Sequence, residues 1–498
     1  MVNSAAYLDL AKACLPELAL TATSLLVLFL DLVWARELED TRRRRVLLAA
    51  FLSGGALALL TTFLWPFAGI APGGMWSLGA TGLVVKQGLI VMGLLSACLM
   101  APGDWSEHAG EYFAVLALAL VGMLCMASAE HLLMIFASVE LASLSLYILT
   151  ALNKGQREST EAGLKYFLFG GVAAAFLLYG FSLLYGATGE MTLKALGAKL
   201  AAGSPDPLVW VAVAMVVAGF GFKVAVVPFH WWAPDVYQGA PAASAALIAS
   251  GSKVASFWLM LKFMGSGLAG AAGDGSWGHF VSGWMPLLAG VAALSMVMGN
   301  IAALGQSSVR RLLAFSAVSH GGYLLLGILA QGEQGAASVV FYSLVYGFSS
   351  IGAFGVVSFV ENAAGHDRFD AFTGLSKRSP VLAFSLMALL LSLAGVPPLA
   401  GFFGKFYLFA AVAAVKPLGW MWLVSIAIAM SCVSLYYYLL VLKQAYVAAP
   451  TREDMPPLEI PLCARLTVLF VVVVLFVLGF FPEFLLGRIH HALKLGVL

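Results

Sequence analysis

The sequence predicts an all-α integral membrane protein, and two observations lead to this fold class. Of its 498 residues, 61% are hydrophobic and only 10% are charged, whereas soluble domains carry about 25% charged residues. Apolar runs of about 20 residues, the length that crosses a bilayer as a helix, recur almost from end to end with short polar breaks. Alternation of the β-barrel kind is absent from the sequence. We therefore expect one polytopic membrane domain over residues 1–498.

Charged and Gly/Pro-rich breaks divide the chain into predicted spans, about fourteen in all. We number them in chain order. Their approximate cores are residues 10–33, 46–68, 80–101, 112–128, 130–152, 161–186, 208–231, 241–263, 280–303, 309–330, 335–361, 380–413, 419–446 and 462–486.

Lys and Arg are spread unevenly over the connections between these spans. The connections after the first, fifth, ninth, eleventh and thirteenth spans carry fifteen of them, whereas the opposite side carries eight, counting both termini and Lys86. Because Lys and Arg accumulate on the cytoplasmic side, both termini are predicted to face away from the cytoplasm. The N-terminus lacks a basic region followed by a small-residue cleavage site, so we expect the first span to be retained.

The sequence argues against metal, haem, nucleotide and nucleic-acid sites. The five cysteines are isolated, without a CxxC motif or Cys/His ligand spacing. No glycine-rich phosphate loop is present, and the net charge of +2 comes from scattered basic residues rather than from a patch. If the chain belongs to a redox complex, we expect it to be a part that handles no electrons.

Five charged residues lie inside the apolar runs: Glu140, Lys165, Lys223, Lys253 and Lys405. A charge at mid-bilayer costs about 2.5–3.5 kcal/mol even on the lowest scale, so this set predicts a buried polar pathway for ions or protons. The structural alternative is that a lysine reaches an interface or forms a static pair, and it is strongest for Lys165, only a few residues inside its span.

Glu140 lies among leucines, where desolvation favours the neutral acid unless a cation is near. Lys165, Lys223 and Lys253 are the candidate partners in the same half of the chain. Making and breaking such a pair would load and release a proton. His230 and His320 are possible relays, although each is equally well explained as a hydrogen-bonded packing residue.

Two predicted spans contain helix breaks near a buried lysine. Pro228 follows Lys223 by five residues, and Pro397 with Pro398 precedes Lys405. Proline lacks an amide hydrogen and clashes with the preceding turn, so the backbone opens there. Opened backbone at membrane depth is tolerated only where protein or a wet cavity satisfies it. The two breaks, five spans apart, indicate two structural repeats around a transport path.

Other polar and aromatic residues near predicted span ends are expected at the membrane interface. We assign Glu17, Asp31, Glu130 and His131 to interfacial positions. We interpret the tryptophans Trp231 and Trp232 and the tyrosine run 436–438 as parts of the aromatic belts at the membrane interfaces.

Residues 221–241, with Ala-Pro-Asp-Val-Tyr-Gln-Gly-Ala-Pro at the end, resemble a motif of the antiporter-like subunits of respiratory complex I, and within that family the N type. Four further stretches agree with the same family, residues 158–167, 309–316, 374–380 and 394–407. The resemblance covers roughly residues 110–450, and the flanking spans follow only by hydropathy.

The resemblance implies fourteen helices with two inverted five-helix repeats, spans 4–8 and 9–13. It gives residues 1–105 as flanking helices, 110–265 and 280–450 as the repeats, and 460–498 as the last helix. Spans 7 and 12 are the broken ones.

The resemblance also implies a proton path through matching residues. Glu140 and Lys223 correspond to the switching pair, Lys253 to the central lysine, Lys405 to the exit-side residue and Lys165 to a modulating lysine. No cofactor or metal is expected in this chain. FMN, iron–sulfur clusters and quinone are expected in partner subunits, within a bacterial inner-membrane complex of membrane and peripheral subunits.

Two other functions stay open on the sequence alone. The first is a subunit of a cation/proton antiporter, or of a related membrane-bound hydrogenase or dehydrogenase. The second is a structural scaffold whose buried pairs only hold helices together, in which case apolar replacements would be tolerated.

Overall fold

In this computed structural model the chain is built almost only from helices, as the composition predicts. The described residues are 10–64, 69–70, 74–100, 108–203, 206–415, 419–448, 458 and 460–495. The helices are α1 Leu15–Val33, α2 Asp40–Leu64, α3 Ala80–Cys98, α4 Ala109–Ser128, α5 Leu132–Thr150, α6 Arg157–Thr188, α7 Leu193–Ala201, α8 Pro207–Lys223, α9 Trp232–Gly239, α10 Ala242–Ala249, α11 Gly251–Lys262, α12 Trp284–Leu304, α13 Val309–Ala330, α14 Gly332–Ala364, α15 Leu375–Arg378, α16 Pro380–Ala394, α17 Ala400–Val415, α18 Met421–Tyr446, α19 Leu462–Phe480 and α20 Glu483–Lys494.

Short elements fill some of the connections. Gly69–Ile70 pairs antiparallel with Ser77–Leu78, three-residue and four-residue 3₁₀ turns occur at Ala35–Glu37, Ala269–Ala271 and Phe369–Phe372, and a π turn at Phe263–Gly267 follows α11.

Among the described residues, twelve helical segments are long and apolar enough to cross a membrane, counting Ala242–Gly267 as one. The apolar helices α8, α16 and α17 are shorter. The predicted all-α membrane class is confirmed, whereas the number of crossings and the two inverted repeats stay predictions.

The seventh predicted span breaks beside its proline, as expected, but its helix ends earlier than predicted. α8 stops at Lys223, and the chain turns through residues 224–231 before α9 begins. Ala225 takes a positive φ of 55° in this turn. The opened backbone finds partners, because the Val227 amide donates to Ser295 Oγ at 2.9 Å and the Trp232 indole donates to the Phe222 carbonyl at 3.0 Å.

The twelfth predicted span, residues 380–413, divides into α16 and α17 at its Pro-Pro pair. A third interruption was not predicted. The eighth span, 241–263, is split into α10 and α11 at Ser250, whose φ of −111° and ψ of −84° lie outside the helical region. The sequence sign of this break is the Ser250-Gly251 pair, which is of the kind found at helix kinks but is weaker than a proline.

The long helix α14 lies at the centre of the bundle and is buried along most of its length. It packs against α13, α16 and α17, and also against α10, α11, α19 and α20. Small residues allow the close approach. A Cβ atom at Gly347 would lie 2.4 Å from Met92 Cε, and one at Gly352 would lie 2.5 Å from Leu389 Cδ2.

Several outer helices present large apolar side chains outward. Leu25, Phe29, Phe169 and Phe470 are each roughly half exposed or more. In water such a surface would be costly, but in a bilayer lipid tails cover it, which agrees with the membrane class.

Three of the residues assigned to the interface form ion pairs, and two of these residues, Glu17 and Asp31, are buried. Glu17 pairs with Lys86, Asp31 with Arg43 and Glu130 with Lys262. The expectation was wrong for Glu17 and Asp31, because closeness to a helix end in sequence does not tell whether neighbouring helices cover that end. For Glu130, whose side chain is 14% exposed, the interfacial position stays a prediction. Lys86, counted with the connections, is fully buried within α3.

The aromatic-belt expectation is wrong for three of five residues. Trp231 and Tyr436 are exposed, but Trp232, Tyr437 and Tyr438 are buried. The helical period of about 3.6 residues points neighbouring side chains in different directions, so a run of aromatics cannot all face the membrane interface. Trp232 stacks on Tyr166 with ring centroids 4.4 Å apart.

Candidate functional site

Lys223 ends α8 with its side chain directed into the bundle against α5. Its Nζ donates to Ser143 Oγ and, at 3.4 Å, to Tyr147 OH. The ammonium also lies over the rings of Tyr147 and Phe222, at 5.6 and 5.5 Å from the centroids. A buried ammonium requires such acceptors, since it has lost its water.

Glu140 lies on α5 one turn before Ser143, so the two side chains share a helix face. It is near enough to Lys223 for an electrostatic interaction. In the described structure no ion pair joins them, and the buried Glu140 Oε1 has no hydrogen-bond partner. The structure therefore brings the predicted pair close, with Lys223 bonded to the Ser143 hydroxyl rather than to Glu140.

Lys253 lies on α11, deep in the bundle and 1% exposed. Its Nζ donates to the Ala317 carbonyl of α13 at 2.5 Å and lies 5.7 Å from the centre of the Tyr346 ring on α14. Ser252 and Ser256 of the same helix line a small cavity that Lys223 and Ser143 also line. Helix α11 thus contributes Ser252 and Ser256 to the cavity beside Lys223, whereas its Lys253 contacts α13 and α14.

His320 lies between Lys253 and Lys405 in the middle of α13. Both lysines are near enough to affect it electrostatically. Its Nδ1 is 2.6 Å from Tyr342 OH and its Nε2 is 3.3 Å from Tyr438 OH. Both ring nitrogens therefore have hydroxyl partners, which is the arrangement that a proton relay requires.

Lys405 lies on α17, just after the second helix break. Its Nζ donates at 2.8 Å to the Ala394 carbonyl and at 2.8 Å to Ser431 Oγ. Ala394 is the last residue of α16, and a helix C-terminus favours a cation. Gly395 has a φ of +87°, and a Cβ there would lie 2.9 Å from Lys405 Cδ. The glycine therefore makes both the turn and the space for the lysine stem.

Lys165 does not lie in this buried row. Its side chain is 38% exposed and forms ion pairs with Asp235 at 2.6 Å and Glu161 at 2.8 Å. Asp235 also pairs with Arg311 at 2.7 Å. These residues line a polar cleft, together with Glu158, Gln238, Arg310, Glu361 and Asp367.

His230 is buried, but the structure does not bring it to the lysines. Its ring contacts those of Trp231 and Phe315, and its Nδ1 has no hydrogen-bond partner in the described part of the chain. Of the two histidines, only His320 lies near the buried lysines Lys253 and Lys405.

The prediction from sequence missed the tyrosines around His320. Tyr438 also bonds with Ser316, and Tyr437 donates to Asn300 Oδ1 at 3.0 Å. Tyr346 contacts both the Lys253 ammonium and the His320 ring, at a centroid distance of 5.0 Å from the latter. Their signal was weak, because tyrosine in an apolar run usually indicates an interface.

No group of three or more His, Cys, Asp or Glu side chains suited to a metal ion occurs among the described residues.

Known proteins resemble this chain over nearly its whole length. Residues 129–433 match the family model described as NADH:quinone oxidoreductase/Mrp antiporter, TM. A protein from Acidobacterium capsulatum, NADH-quinone oxidoreductase subunit N 2, is 45% identical over 97% of this chain and 99% of its own length. The chain belongs to the subunit N family of NADH-quinone oxidoreductases.

Solved structures agree with membership of the subunit N family. A chain of respiratory complex I from Thermus thermophilus is 33% identical, with a TM-score of 0.77 over 95% of this chain and 98% of that one. A chain of the Mrp complex from a Dietzia species has a TM-score of 0.81 over 97% of this chain and 96% of that one, at 22% identity. The latter likeness shows the shared fold alone.

Gly395→Ala tests how Lys405 is positioned. We expect a loss of stability of about 1–2 kcal/mol, because a positive φ is unfavourable for a residue with a Cβ atom, and the added atom also meets the lysine stem. The measurement is the thermal unfolding midpoint in detergent. Gly290→Ala in α12 is the control, since a Cβ there meets nothing within 4 Å. Equal midpoints for the two variants would contradict this account.

Proposed function

We propose that this chain is the membrane-embedded proton-translocating subunit N of an NADH-quinone oxidoreductase. The observation that carries the proposal is a row of titratable side chains inside the bundle. The row comprises Glu140, Lys223, Lys253, His320 and Lys405. The high identity to subunit N relatives along the whole chain supports this assignment over other users of the same fold.

Uptake would occur at the polar cleft beside α6, α9 and α13. The cleft holds a chain of ion pairs that joins Glu161, Lys165, Asp235 and Arg311. Lys165 in this chain is partly exposed to solvent. By the predicted orientation this face is cytoplasmic, and both termini lie on the opposite side of a bacterial inner membrane. Lys165 would then tune the potential at the mouth of the path rather than carry protons within it.

Glu140 and Lys223 would form the switch. When the pair closes, Glu140 supports a charged Lys223. When it is open, as in this structure, the ammonium rests on Ser143 and Tyr147 and is more easily deprotonated. The hydroxyls provide hydrogen-bond partners in both arrangements.

Transfer along the row would follow from repulsion between like charges. In a low-dielectric interior two nearby ammonium groups repel strongly, so a proton arriving at Lys223 favours proton loss from Lys253. A proton arriving further along the row favours proton loss from Lys405 in the same way. His320 would accept and pass the proton through its two hydroxyl-bonded nitrogens. Lys405 would release it through partly buried Ser431.

The electrons would move in partner subunits. We place FMN, the iron–sulfur clusters and the quinone there, since the cysteines of this sequence have no cluster spacing. The chain would contribute proton movement to the complex, in contact with other membrane and peripheral subunits. The helix breaks on either side of α14 support two inverted repeats at 110–265 and 280–450, between flanking residues 1–105 and the final 460–498.

Lys223→Ala tests the assigned switch. In the assembled complex, we expect coupled proton pumping to fall about tenfold or more, since a positioned proton-transfer group contributes at least this much. The measurement is the pH change of proteoliposomes per NADH oxidised. The exposed Lys199→Ala is the control. Undiminished pumping would overturn the switch, and sodium-dependent transport without NADH would favour an antiporter.

His320→Gln and His230→Gln form a matched pair. Glutamine keeps hydrogen bonding but does not take up and release a proton, so only the His320 variant should lose proton pumping, by about tenfold or more. The measurement is the same proton yield, with quinone reduction in the presence of an uncoupler to show that the complex is intact. Equal effects of the two replacements would remove His320 from the path.

A further inference from the structure

A second set of buried charges lies outside the row described above. Lys86 Nζ of α3 is 2.6 Å from Glu17 Oε1 of α1, and Lys262 Nζ of α11 is 2.5 Å from Glu130 Oε1, just before α5. Lys86 and Lys262 are 0% and 3% exposed at their side chains. Burying two full ion pairs costs more than an apolar replacement of equal size, so stability alone is a weak reason to have them.

The two pairs form one group, which we name the four-charge cluster (Glu17, Lys86, Glu130 and Lys262). Lys86 and Lys262 are near enough for their charges to repel. An isolated antiparallel β-bridge between Trp76 and Ala129 lies beside both lysines. The Lys86 ammonium lies 5.8 Å from the Trp76 ring, and Lys262 donates to the Ala129 carbonyl at 3.2 Å.

Polar atoms in and beside the four-charge cluster lack partners in the described part of the chain. They are Glu17 Oε2, Trp76 Nε1 and Ser128 Oγ, and Glu17 is only 5% exposed. Buried polar atoms in proteins almost always have a partner, and ordered water supplies it where protein does not. These atoms therefore mark the four-charge cluster as a place that binds water.

One helix connects the four-charge cluster to the proton row. Lys253 and Lys262 both lie on α11, nine residues apart, which is about 13 Å along a helix axis. The helix preceding α11 begins at the polar cleft, where Ala242 lines it. Lys262 therefore lies towards the opposite face, where Glu130 is 14% exposed.

We propose that the four-charge cluster is a second proton-release branch that leads from Lys253 to the face opposite the cleft. Lys262 hands a proton to the Glu130 carboxylate, and a proton that leaves the Lys253 ammonium through water recharges Lys262. Glu130 then loses its proton to solvent. One proton crosses, and Lys253 is left as a neutral amine. The inference rests on the proposed function, because it needs Lys253 to carry protons.

Lys262→Arg in the assembled complex separates transfer from structure. Arginine keeps the positive charge beside Glu130 but does not release its proton. We expect normal assembly and normal uncoupled NADH oxidation, with a proton yield per NADH that is about twofold lower, as for the closing of one of two release routes. Lys199→Arg, on an exposed lysine of α7, is the control and should leave the yield unchanged.

Glu130→Gln provides a second test that does not depend on fitting an arginine. It removes the proton acceptor with little change of shape, and the same loss of proton yield is expected. Normal yields in both variants would show a static pair and overturn the branch. The Lys223→Ala variant, measured in the same assay, distinguishes failure of the proposed function from failure of the branch. Normal pumping in Lys223→Ala overturns the proposed function. Lost pumping in Lys223→Ala, together with normal proton yields in Lys262→Arg and Glu130→Gln, overturns the branch alone.

Discussion

The cost of an ammonium group inside a membrane governs this structure. Each buried lysine of the row is held by oxygen atoms of other helices, which for Lys253 is the Ala317 carbonyl within α13 and for Lys405 includes a carbonyl at a helix end. Lys405 bonds the last carbonyl of α16, and Lys223 itself ends α8 and reaches hydroxyls of α5. A continuous helix satisfies its own carbonyls, so the break between α16 and α17 supplies Lys405 with an acceptor that an unbroken span would not offer.

The same constraint explains why the centre of the bundle is both dense and polar. α13 and α14 are almost fully buried, yet they carry His320, Tyr342 and Tyr346. Glycines bring the helix backbones close, which excludes lipid from the row. Hydroxyl and imidazole groups then form short steps between lysines, so a charge can be accommodated at each position without a large rearrangement of the fold.

The sequence predicted the membrane class, both proline breaks and the burial of Lys223, Lys253 and Lys405, because burial cost and proline geometry act locally. It did not predict the break at Ser250, where the Ser250-Gly251 pair is a weaker break signal than proline. It also misplaced Glu17, Asp31 and Tyr438 at an interface, since their burial depends on neighbouring helices. The closeness of Glu140 to Lys223 was expected, whereas the bond of Lys223 to the Ser143 hydroxyl of α5 depends on the packing of distant segments.

The central claim is that the buried row moves protons rather than only holding helices together. Lys253→Arg tests it most directly, since arginine retains the charge next to Ala317 and Tyr346 but does not deprotonate. The account predicts that the complex assembles and reduces quinone normally in the presence of an uncoupler, but that its proton yield per NADH is strongly reduced. A proton yield equal to that of the unchanged protein would contradict it and make the row a structural feature.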